Sequence, residues 1–143
     1  MKNISLMIML LTLTWACSQS EDANLERERT IDNSLSGKWQ LTEQLMDPGD
    51  GSGTFQPVNS DHTIEFFENG TFTSSESLCY ADGVANPGTT GTVDQERKAL
   101  MPEGCRDDKS LPAFELGYDL QPPHLIINLF CIEPCALKFK KVK

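Results

Sequence analysis

Beyond Gly37, hydrophobic and polar positions recur with a period of two. Trp39 and Leu41 alternate with Lys38, Gln40 and Thr42, and Ile64 and Phe66 alternate with Thr63 and Glu65. Phe114, Leu116, Tyr118 and Leu120 repeat the pattern ahead of a Pro122-Pro123 break. Successive side chains of a strand point to opposite faces, so this spacing predicts half-buried β-strands. Glu68-Asn69-Gly70 leads into Thr71-Phe72-Thr73. Asn-Gly between two such runs signals a hairpin, because both residues accept positive φ. Leu125 to Ile132 forms a dense β-forming run, and Ala136 to Val142 closes the chain with Leu137 and Phe139 on one face. The polar segments 46–61 and 81–112 read as loops, with room for short strands that the pattern does not locate. Helical spacing and internal repeats are absent after residue 37. Short strands meandering through one domain predict an all-β antiparallel barrel or sandwich.

The N-terminus follows a different rule. Lys2 precedes Ile4 to Ala16, an almost unbroken apolar run of thirteen residues. A bilayer core of about 30 Å needs roughly twenty, so the run reads as a processing signal over residues 1–16. It ends in Leu13-Thr14-Trp15-Ala16-Cys17, which resembles the bacterial lipobox, with Thr14 where leucine is usual. The resemblance implies cleavage before Cys17 and a diacylglyceryl group on that cysteine, enough acyl chain for stable anchoring. An ordinary cleaved signal peptide with a neighbouring cysteine is the alternative. Residues 17–34 form the lipidated N-terminus and a polar, flexible tether, within which Leu25 and Ile31 are the large apolar residues of Ser18 to Asn33. The pair Glu21-Asp22 is similar to surface-export signals of some Bacteroidetes lipoproteins, although a solvated tether explains it equally well. The expected location is the cell envelope, lipid-anchored on the outer membrane, with the cell surface as a variant.

Cysteine parity agrees with this assignment. Five cysteines would leave one thiol over in an exported protein. With Cys17 lipidated, Cys79, Cys105, Cys131 and Cys135 remain for two disulfides in an oxidising compartment. Four cysteines allow three pairings. Cys131 shares parity with Leu125, Ile127 and Leu129, and Cys135 with Leu137 and Phe139. A three-residue loop Ile132-Glu133-Pro134 would therefore set the two opposite each other within disulfide range, leaving Cys79 for Cys105. The same run carries a second apolar face, Ile126, Phe130 and Ile132, interrupted by Asn128. The segment around Leu35 or a partner surface is expected to cover it.

Charge and catalytic groups narrow the function classes. The net charge is −9, and loss of Lys2 with the leader makes the mature chain −10. Such a chain repels phosphate backbones, which argues against nucleic acid as a partner. His62 and His124 sit at strand edges, where a hydrogen-bonded or exposed histidine is the ordinary outcome. Gly51-Ser52-Gly53 lacks the G-x-S-x-G nucleophile elbow. Cys105, His124, Cys131 and Cys135 have zinc-ligand chemistry, but disulfides are the better use of exported cysteines. Asp47-Pro48-Gly49-Asp50-Gly51-Ser52-Gly53 offers calcium-type oxygens without EF-hand spacing and reads as a turn. The expectation is a protein that is not an enzyme and needs neither metal nor cofactor.

Gly37-Lys38-Trp39 after a short leader resembles the G-x-W signature of lipocalins. Together with Ile64 to Phe72 and the lysine-rich end Leu137-Lys138-Phe139-Lys140-Lys141, it is similar to the small lipocalin-like domains of Bacteroidetes lipoproteins. The resemblance covers residues 35–143. It implies a small calycin-like barrel of about eight strands, with Gly37 and Trp39 as its structural signature. In lipocalins that tryptophan packs at the closed end under an arginine of the last strand, a place that Lys138, Lys140 or Lys141 would take here. A barrel of this size is filled by side chains or holds one small ligand. Trp39, Phe66, Phe72, Phe114, Tyr118 and Phe139 are the expected inward aromatics, so a ligand should be small or sit at the mouth. The implied function is binding of a small apolar or amphipathic molecule. The alternative is a non-enzymatic interaction protein, an inhibitor or envelope scaffold resembling small barrel lysozyme-inhibitor lipoproteins.

Overall fold

Nine strands account for most of the alternation. The computed structural model describes residues 34–79, 88–105 and 112–142. The strands are β1 (Gly37–Met46), β2 (Gln56–Pro57), β3 (Thr63–Phe66), β4 (Thr71–Ser74), β5 (Thr89–Asp94), β6 (Ala99–Pro102), β7 (Leu116–Gln121), β8 (His124–Asn128) and β9 (Cys135–Lys141). From β3 to β9 each strand pairs antiparallel with the next, and β1 joins β3 to β9 to close the sheet. The result is the expected all-β fold, a closed antiparallel barrel of eight strands. Two-residue β2 lies outside that count, paired to Glu43 and Gln44 on the far half of β1. A register shift between Leu41 and Glu43 bends β1 at the point where it leaves β3, as an extra residue does in an antiparallel ladder.

The interior is filled. Trp39, Phe66, Phe72 and Phe139 are fully buried, with Leu35, Ile64, Leu78, Leu100, Leu116, Leu125 and Ile127 around them. Tyr118 is also buried. Phe114 departs from the inward set: it precedes β7, is half-buried, and stacks edge-on against Phe130 at 6.1 Å.

Three strands, β2, β5 and β6, arise where the sequence pattern was silent. β5 turns Thr89 and Gly91 inward, and a side chain at Gly91 would begin 2.7 Å from the Phe72 ring. Phe72 fills that space, so the facing strand needs small residues and shows no apolar alternation. The β3–β4 turn also differs in detail. Gly70 has positive φ (79°) while Asn69 does not, and the loop spans three residues, with Phe67 N–H donating to the Thr71 carbonyl at 2.9 Å. Asn69 contributes through its side chain instead, accepting from Thr71 N–H at 3.1 Å and Thr71 Oγ1 at 2.7 Å.

Strand direction gives the barrel two unlike ends. The turns 67–70, 95–98 and 122–123 meet at one end; the other gathers 47–62 and 129–134 with the described ends of the β4–β5 and β6–β7 connections, 75–79, 103–105 and 112–115. At the first, Leu35 plugs the core and its carbonyl accepts from Trp39 Nε1 at 2.8 Å. Lys141 Nζ lies 5.3 Å from the centre of the Trp39 ring and donates to the Ser34 carbonyl at 2.8 Å. Of the three lysines considered, Lys141 caps the tryptophan. Gly37 opens β1 with φ of 107°, a backbone conformation that favours glycine.

Candidate functional site: the loop end

Covalent and backbone ties fasten the connections at this end in two pairs. Cys79 bonds Cys105 across the β4–β5 and β6–β7 connections, Cα to Cα 4.9 Å. Cys131 bonds Cys135 within the β8–β9 loop, Cα to Cα 6.1 Å. Asp47 N–H donates to the Pro134 carbonyl at 2.9 Å, fastening the first connection to the last. The expected pairing therefore holds, but not its expected geometry. β8 ends at Asn128, opposite Ala136, and Leu129 N–H donates to the Cys135 carbonyl at 3.0 Å. Cys131 is thus two residues past its supposed partner position, and the disulfide closes a six-residue loop, 129–134, from inside it.

Ending the strand at Asn128 changes the fate of its second apolar face. Ile126 remains on the barrel wall and is half-buried. Phe130 and Ile132 leave the sheet and stand in solvent, 76% and 101% exposed. Leu35 does not cover this face; it is at the opposite end, in the core. Phe55, from the connection before β2, shares a groove with Ile126. The groove is open, about 540 Å³ in volume, and Leu129, Ile132, Pro134 and Ala136 complete it. Phe55 is positioned by Lys138, whose ammonium sits 4.1 Å from its ring centre while bonding the Glu43 carboxylate at 2.7 Å. Such cation–ring contacts contribute about 0.5–1 kcal/mol at partly exposed sites.

The acidic turn before Phe55 is built on one carboxylate. Asp47 accepts from Gly53 N–H at 2.7 Å, Gly49 N–H at 2.7 Å and Gly51 N–H at 3.0 Å. Those donors, Gly53 foremost, hold its carboxyl below the usual carboxylate range. Backbone donors thus occupy the oxygens considered as calcium ligands, which makes the segment a turn. The zinc-type set is dispersed as well, its cysteines divided between two disulfides and His124 at the far end of the barrel.

His62 directly precedes β3, at the strand edge as expected, and is the hydrogen-bonded rather than the exposed outcome, buried on the side of Ile64. Its Nε2 is 2.7 Å from Ser74 Oγ, its Nδ1 is 3.6 Å from Glu76 Oε2, and its ring meets Phe139 edge-on at 5.2 Å. Burial pushes its pKa below the ordinary value and the Glu76 carboxylate opposes that shift. The order serine, histidine, glutamate has the outline of a nucleophilic triad. With His62 3% and Ser74 5% exposed, it serves here to satisfy polar atoms inside the barrel wall.

Cys17, with the leader and tether around it, lies outside the described residues. Phe55, Ser74 and Glu76 were not singled out by sequence; Phe55 follows a glycine-rich turn with no alternation to mark it. Comparison with protein-family models, with curated proteins and with solved structures gives no match.

Proposed function

We propose that this chain is a lipoprotein of the bacterial cell envelope, of the Bacteroidetes type, anchored through Cys17 on the outer membrane. Its lipocalin-like barrel acts as a non-enzymatic scaffold that presents the loop end to a protein partner. The observation that carries this reading is the loop closed by Cys131–Cys135, which holds Phe130 and Ile132 in water beside an apolar groove. Exposed apolar side chains on a constrained loop lose little entropy when a partner covers them. The filled interior agrees with a working outer surface. Anchoring is supported by the cysteines: Cys79, Cys105, Cys131 and Cys135 bond one another, so Cys17 has no disulfide partner within the chain. The net charge of −9 argues against nucleic acid.

A second reading, a small apolar or amphipathic ligand, is favoured by the groove volume of about 540 Å³, within the range of ligand pockets. Native mass spectrometry of envelope-derived protein separates the two. The protein-partner reading predicts no co-purifying small molecule, and a crosslinker at position 132 that captures one discrete protein. A stoichiometric small ligand with no crosslinked protein would establish the second reading instead. Replacing Cys17 by serine should release the protein from membranes, and persistent membrane association would contradict the anchor.

A further inference from the structure

Charge around the groove selects among its occupants. Two of its lining side chains are of charged type, Asp119 on β7 and Glu133 at the loop tip, and both are carboxylates. Asp119 stands opposite Ile126 on the outer face. Glu133 packs against the 47–53 turn, 3.5 Å from where a side chain at Gly49 would begin. That turn adds two carboxylates, Asp47 and Asp50, which hydrogen bonds from their own loop keep ionised. Lys138, beside the groove wall, is already committed to Glu43 at 2.7 Å. An anionic amphiphile entering here would set like charges together, and a neutral one would cover carboxylates without pairing them; both cost binding energy.

The loop tip selects by size. Ile132 forms part of the groove wall, whereas Phe130 lies outside the lining and is 76% exposed, so a small molecule seated beside Ile126 and Phe55 would leave Phe130 in water. An occupant that also covers Phe130 must continue over the tip.

We infer that the groove docks a cationic amphipathic segment of a partner protein, with apolar anchors against Ile126, Phe55 and Ile132 and flanking lysines or arginines at Asp119 and Glu133. This rests on the protein-recognition reading above and adds the charge class of the partner. It is tested with three synthetic peptides sharing the same leucine anchors, flanked by lysine, glutamine or glutamate, titrated against the disulfide-intact chain. The lysine peptide should bind at least about tenfold tighter than the glutamate peptide. That advantage should shrink between about 50 mM and 500 mM salt as screening sets in. Glu133→Lys, at an exposed position, should erase the preference, and Asp119→Lys with Glu133→Lys should reverse it. Equal binding of the lysine and glutamate peptides, or an unchanged preference in Glu133→Lys, would overturn the charge assignment. If all three peptides bind alike and Ile132→Glu abolishes binding, docking at the groove survives and the charge class alone is wrong. If none binds, the inference fails, and a native partner still dependent on Phe130 and Ile132 would leave the broader reading in place. Dodecyltrimethylammonium binding as tightly as the lysine peptide would make the occupant a small cationic amphiphile and overturn the protein segment.

Discussion

The two ends of the barrel are made by the same strands and closed by different means. At the turn end, three short connections, the Leu35 plug and the Lys141–Trp39–Ser34 contacts seal an apolar core. At the loop end, two disulfides and backbone bonds constrain long connections that send Leu78 into the core and leave Phe130 and Ile132 outside. Removing Trp39 opens a hole in a close-packed interior; removing Phe130 or Ile132 opens none. The contrast separates two tasks: the turn end sets stability, and the loop end presents surface.

The comparison can be broken most forcefully at Trp39. Trp39→Ala should cost about 3–5 kcal/mol in denaturant unfolding, a large fraction of the roughly 5–15 kcal/mol available to a domain. A loss under about 1 kcal/mol would mean that the turn end is not the stabilising one.

The disulfides come next and sharpen the picture of the loop end. They span 26 and 4 positions of sequence, and loop-closure entropy grows with loop length. Replacing Cys79 and Cys105 by serine should cost about 3.5 kcal/mol, and replacing Cys131 and Cys135 about 2 kcal/mol. The measurement is urea unfolding of each variant. The reverse order would show that the short disulfide braces the whole fold rather than the 129–134 loop alone.

Much of the turn end was legible in the sequence, and little of the loop end. Trp39, Leu41, Ile64, Phe66, Phe72, Leu137 and Phe139 alternate because one strand face meets core and the other water, and the structure buries all of them. β5 escaped because Phe72 occupies volume beside it, leaving Thr89 and Gly91 as the inward residues of the neighbouring strand, and β6 because its four residues, Ala99 to Pro102, are too short and too uniformly apolar to alternate. The run to Ile132 looked like continuous strand because its composition is β-forming throughout. What ends it at Asn128 is the register with β9 and a disulfide drawn inside the loop, both products of long-range pairing. The second apolar face was visible as such, but Phe55, which lines the same groove as Ile126, immediately precedes β2, whose pairing with β1 is long-range.

A smaller effect lies at the upper edge of the core. His62 is buried and its pKa is lowered, mainly by burial, so the folded state disfavours its charged form. Its contribution to stability is complete above the unfolded value near 6.5 and is lost as pH falls from there toward the depressed folded value. Melting temperature should therefore drop across this window in the native chain, and His62→Gln should flatten that drop. Glu76→Gln should steepen it, since the carboxylate favours the charged ring. An identical pH profile for all three proteins would contradict the burial of His62.

The smallest effect on stability is the most informative about function. The double variant Phe130→Asp, Ile132→Glu, assayed by thermal melting and by capture of the native envelope partner, tests the division between the two ends directly. The account predicts a midpoint within about 3 °C of the native chain, together with loss of the partner. Retained capture, or collapse of the fold, would contradict it.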